Sequence, residues 1–78
     1  MRKIVNAVDV AGHELGKGDT VVTLGSQATA TIADLAVEGE TQFVKLRPIH
    51  QPYGRGVWHA ADCVQWLAYG RKRKAVKT

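Results

Sequence analysis

The sequence predicts an all-β domain of about five antiparallel strands. Three observations carry that expectation. Short stretches alternate apolar and polar residues, as in Gln42–Arg47, where Val44 and Leu46 oppose Phe43, Lys45 and Arg47. A β-branched run, Thr20–Leu24, has strand length and strand chemistry. Glycine-rich turns separate these stretches at close spacing, as in small sheets whose strands are joined by hairpins.

Taken in order, residues 1–7 read as a loosely held lead-in, and Val8-Asp9-Val10 alternates before a turn-rich stretch ending at Gly16-Lys17-Gly18-Asp19. Thr20–Leu24 is a β-branched strand, and Gly25 breaks it. Ala28–Leu35 alternates again: Ala28, Ala30 and Ile32 share one face, Thr29 and Thr31 the other. Gly39, set among acids, makes a hairpin loop. Gln42–Arg47 follows, and Pro48 ends it. The stretch IHQPYGRG is a loop, and Val57–Ala60 is a strand. Ala60–Tyr69 supports two readings. Ala60, Val64 and Leu67 fit helical spacing, whereas Val64 and Trp66 fit a short closing strand after a tight turn at Ala61–Cys63. The second is preferred, because three or four strands need another to close the sheet. Val22, Ile32, Val44, Leu46 and Trp66 are the expected core.

The chain is 78 residues long, enough for one small domain, expected over residues 1–70. Its 45% apolar content suits a folded core and argues against a disordered chain. The net charge of +4 is unevenly placed. Arg71, Lys72, Arg73, Lys74 and Lys77 crowd residues 71–78, whereas residues 1–70 hold six cations against seven acids. A basic, disordered tail on a near-neutral body is expected, and attraction to a polyanion must come from the tail or a local patch. Arg71, Lys72, Arg73 and Lys74 are the tail's candidate phosphate contacts. A lone cysteine, Cys63, cannot cross-link its own chain and reads as a small buried hydrophobe in a reducing, cytoplasmic setting. No signal peptide and no membrane-spanning run is expected.

From Gly18 onward the pattern resembles a small SH3-like barrel of the kind that includes the KOW motif, as found in bacterial and bacteriophage proteins. Gly18, Asp19, Val21, Gly25, Ile32 and Gly39 match that family's order of turn, strand, bend, strand and hairpin. The stretch GVWHAADCVQWLA resembles its last two strands with the short helical turn between them. The resemblance spans roughly residues 8–68 and implies a binding module for RNA, DNA or protein, not an enzyme.

Enzymatic readings find little in the residues themselves. Gly16-Lys17-Gly18 is followed by Asp19, whose charge repels phosphate, and by a strand where a phosphate loop requires a helix. His13, His50, His59, Asp62 and Cys63 lack the paired spacings of metal sites, so neither a metal nor a cofactor is expected. A Cys–His nucleophile fails on the same scatter.

The informative constellation is a face. Lys45 and Arg47 leave one strand on the same side; His50, Tyr53 and Arg55 follow in the loop, and Trp58 and His59 in the next strand. Cations interleaved with rings suit a nucleic acid, whose backbone takes the charges and whose bases stack. The candidate binding face is therefore Lys45, Arg47, Tyr53, Arg55 and Trp58. The same residues suit a protein interface, where Tyr, Trp and Arg are the usual anchors. The leading expectation is a small binding module acting on a nucleic-acid-associated process, with nucleic acid or a nucleoprotein as partner. The alternative is a phage-type modulator that binds a host protein.

Overall fold

The computed structural model describes residues 1–49 and 54–68. It is mostly antiparallel sheet with almost no helix, as the alternation predicts. The strands are β1 (Arg2–Lys3), β2 (Ala7–Val8), β3 (Glu14–Leu15), β4 (Thr20–Thr23), β5 (Thr29–Glu38), β6 (Thr41–Pro48), β7 (Val57–Ala60) and β8 (Val64–Ala68). One turn of 3₁₀ helix, Ala61–Cys63, joins β7 to β8. The turn-plus-strand reading of Ala60–Tyr69 therefore holds over its described part, and the helical one does not.

The main sheet runs β7-β6-β5-β4-β8, and β2 and β3 form a separate hairpin. Among the described residues β7 and β8 do not pair with each other, so the path does not close on itself. The expected lead-in is not loose: Arg2 and Lys3 pair with Val37 and Ala36, adding β1 beside the far half of β5. Long β5 thus serves β4 with its first half and β1 with its second, and pairs with β6 throughout. Its register against β6 shifts between Ile32 and Asp34, where Ala33 is the additional residue.

The turns follow their glycines. Glu38 pairs with Thr41 across Gly39-Glu40, and Gly39 sits at φ +62°, a conformation that side chains with a Cβ resist. Gly18, at φ +89°, lies in the turn closed by the Asp19 N–H on the Gly16 carbonyl at 3.1 Å. The Asp19 carboxylate, fully buried, accepts the Gly16 N–H at 2.9 Å. Gly16–Asp19 is thus a strand-entry turn whose first amide is bound by the chain's own carboxylate.

The core gathers Ala7, Leu15, Val21, Ala30, Ile32, Leu35, Val44, Leu46, Ala61 and Val64. Ile32, Val44 and Leu46 are inside as expected, but two other expectations need correction. Val21, not Val22, faces the core; Val22 is half-buried. Trp66 is half-buried and packs against the cluster from outside. Ala28 also departs from its predicted face: it precedes β5 and is exposed. In β2 and the turn after it the apolar pattern is inverted, with Ala7 and Asp9 buried and Val8 and Val10 exposed. Cys63 is exposed rather than buried, because it ends the 3₁₀ turn and Val64 takes the inward place.

Candidate binding face

Strand pairing assembles the face. Lys45 of β6 lies directly opposite Trp58 of β7 on one side and opposite Asp34 of β5 on the other. Gly56 precedes β7 and lets Lys45 lie flat. A Cβ at that position would sit 2.6 Å from Lys45 Cγ and 3.1 Å from its Cδ and Cε. The aliphatic stem therefore crosses the bare Gly56 backbone, and the ammonium ends 5.8 Å from the Trp58 ring centroid.

Lys3 reaches the same ring from β1. Its ammonium lies 5.7 Å from the Trp58 centroid while donating to the Asp34 carboxylate. That donated bond chiefly holds the Asp34 carboxyl below its usual value. Burial works against it, and the Leu35 N–H and the Lys3 and Lys17 charges add to it. The register shift in β5 is what makes this possible, since it brings Asp34 opposite Lys45, on the outer side of the sheet.

Around this core of the site, Lys45, Arg47, Gly54, Arg55, Gly56 and Trp58 line an open concavity of about 550 Å³. Four of the five predicted face residues are thus brought together: Lys45, Arg47, Arg55 and Trp58. Tyr53 lies outside the described residues, as do His50 and the tail contacts Arg71, Lys72, Arg73 and Lys74. Arg47 and Arg55 are exposed. Among the described residues, none of Lys45, Arg47 and Arg55 has a carboxylate partner. Lys3 was missed by sequence reasoning. It is separated from the face by some forty residues of chain, and no local pattern announces a two-residue strand.

A second charged centre lies elsewhere. Asp9 is buried, and its Oδ1 accepts the N–H groups of Ala11 at 2.9 Å and His13 at 2.7 Å. Its Oδ2 accepts the N–H of Trp66 at 2.7 Å, with His13 Nδ1 3.6 Å away. Burial pushes this carboxyl up, but the three backbone donors and the nearby His13 outweigh it and hold it below the usual range. The His13 ring lies 5.3 Å from that of Trp66. The bond from Ala11 was legible as an Asx turn in D-V-A-G; the bond from Trp66 was not.

The chain matches no known family model, no characterised protein and no solved structure. Its chemistry therefore has to be read from its own residues. Among the described residues no three His, Cys, Asp or Glu side chains cluster as a metal site. His59 turns its Nδ1 to the Val57 carbonyl at 3.2 Å, and the Cys63 thiol donates to Asp62 at 3.7 Å. No described helix is long and apolar enough to cross a membrane.

Proposed function

We propose that the protein is a small, non-enzymatic module that binds single-stranded nucleic acid or a nucleoprotein, in the manner of a KOW-like SH3-like barrel. One observation carries this reading: three cations without carboxylate partners among the described residues, Lys45, Arg47 and Arg55, share one concavity with Trp58. An array of this kind suits a chain of phosphates carrying flat bases. The guanidinium groups take phosphate oxygens, and the indole offers a stacking surface once Lys45 or Lys3 moves aside for a base. The 3₁₀ turn between β7 and β8 supports the family likeness. A nucleic-acid ligand also places the work inside the cell, in the cytoplasm, and leaves the basic segment 71–78 as a second source of phosphate contacts.

Titration of a fluorescent oligothymidylate or oligouridylate over a range of salt tests this. The logarithm of the binding constant should fall linearly with the logarithm of salt, with a slope of about −0.7 for each phosphate engaged. The double change Arg47→Ala, Arg55→Ala should make that slope shallower by about 1.4 if each arginine holds one phosphate. It should leave the fold intact, because exposed cations contribute little to stability. Absence of binding at low salt, or a slope unmoved by the double change, refutes the reading.

A further inference from the structure

The two edges of the main sheet are finished differently. At β8 the outer backbone is occupied: the Val64 carbonyl accepts the Val10 N–H at 3.4 Å, and the Trp66 N–H is held by Asp9. The segment after β2 thus stands in for a neighbouring strand. At β7, on the other edge, the only bond beyond the β6 ladder among the described residues is the one from His59 to the Val57 carbonyl. Its sequence, Val-Trp-His-Ala, carries none of the lysines or prolines that blunt exposed strand edges.

The two faces beside that edge differ in chemistry. Trp58 projects to the side of Lys45, Arg47 and Arg55. Val57 and His59 project to the other side, where they line an apolar groove of about 170 Å³ with Leu46, Pro48, Ala28 and Ala30. Val57 is 58% exposed at the lip of this groove. A strand added to β7 would alternate its side chains between these same two faces.

We propose that β7 is a docking edge for an extended segment of a partner protein in which acidic and aliphatic residues alternate. The backbone of such a segment continues the sheet, its aliphatic side chains enter the groove beside Val57, and its carboxylates meet Arg55 and the cations around Trp58. Charge decides against a second copy of this chain as occupant. Pairing β7 with itself would bring two Lys45–Arg47–Arg55 clusters together, and Asp34, the carboxylate beside Lys45 on that face, is already bonded to Lys3. This inference does not depend on nucleic-acid binding, although both ligands would use Arg55 and would therefore exclude each other.

A short capped peptide of alternating Glu and Val is the probe, with the Lys–Val peptide as control. Binding is followed by backbone amide shifts and hydrogen exchange of the full chain. The Glu–Val peptide should slow exchange at the outward amides of β7, and the control should not. Val57→Lys places a charge at the groove while leaving Lys45, Arg47, Arg55 and Trp58 in place. It should weaken the peptide by about tenfold or more and leave oligonucleotide affinity essentially unchanged. Shifts confined to the cationic side, without protection in β7, overturn the proposal, as does peptide affinity indifferent to Val57→Lys. Self-association that protects β7 without peptide also overturns it, by giving the edge to a second copy. Loss of oligonucleotide binding alone would strike only the nucleic-acid reading.

Discussion

The Asp9 carboxylate accepts the backbone N–H of Trp66 at 2.7 Å, across 57 residues of chain. The same carboxylate holds the N–H groups of Ala11 and His13. One side chain thus shapes the turn after β2 and fastens it to the outer edge of β8. Charge-assisted bonds in a buried place are the strong kind, and their donors are costly to abandon.

Asp9→Ala removes the acceptor from three amides at once. Water can reach some of them, so the expected loss of stability is about 2–4 kcal/mol, read from the urea midpoint. The turn after β2, where the Gly12 N–H bonds the Asp9 carbonyl at 3.1 Å, should also lose exchange protection. A loss below about 0.5 kcal/mol would mean that the fastening contributes nothing net.

Acid should unfasten it. The carboxyls of Asp9 and Asp34 are both held below their usual value of 3.8 in the folded chain. The folded state therefore binds fewer protons than the unfolded one in the acid range. The stabilisation is complete above the unfolded value and disappears as pH falls through the folded values. Urea midpoints measured from about pH 6 to pH 2 should decline, and the Asp9→Ala chain should decline less steeply. Equal slopes in the two proteins would contradict the assignment.

Gly56→Ala tests how Lys45 lies. The new Cβ would meet the lysine stem at 2.6 Å, so the stem must lift from the backbone and take its ammonium off the Trp58 ring. Lys45 is only half-buried and can swing toward solvent, so the expected cost is below about 1 kcal/mol. Trp58 fluorescence and ligand affinity should change more than the melting temperature does. An unaltered emission spectrum would mean that the stem had not moved.

Cys63 should react promptly with a thiol reagent in the native state, because it is exposed at the end of the 3₁₀ turn. Reaction only on unfolding would place it inside after all.

Val21 and Val22 should separate cleanly. Val21→Ala empties a fully buried site and should cost about 2 kcal/mol, whereas Val22→Ala should cost about half that or less. Denaturant midpoints of the two variants decide it, and equal losses would reverse the inward assignment.

The valine pair also illustrates what sequence alone can specify. Gln42–Arg47 was readable because its alternation puts both aliphatic residues on one face and both cations on the other: Val44 and Leu46 go in, and Lys45 and Arg47 follow out. Thr20–Leu24 has valines on both faces, and nothing local chooses between them. Around Asp9 the alternation alone does not tell which face is buried: three backbone donors draw the carboxylate inward while Val8 and Val10 remain outside. One of those three donors, the Trp66 N–H, comes from the far end of the chain, where no local pattern reaches. The cationic face was legible in Lys45, Arg47, Arg55 and Trp58, since one strand pairing and one loop gather them. Lys3 and Asp34 were not, because their meeting depends on the pairing of β1 and on an irregularity within β5.

That irregularity works as a change of phase. From Ile32 to Leu35, both buried, β5 takes three steps while β6 takes two from Leu46 to Val44. The irregularity absorbs Ala33, so that both halves of β5 keep their apolar residues inside. Drawing the strand straight with Ala33 in place would read every residue on one side of it in the opposite sense, so that keeping Ile32 inside would bring Asp34 inside and expel Leu35. Deleting Ala33 would instead leave Ile32, Asp34 and Leu35 in plain alternation, in, out and in. The chain therefore tolerates the loss of Ala33 far better than the loss of a single residue elsewhere in β5. Lengthening or shortening the strand elsewhere by two would keep the sense, and by one would not.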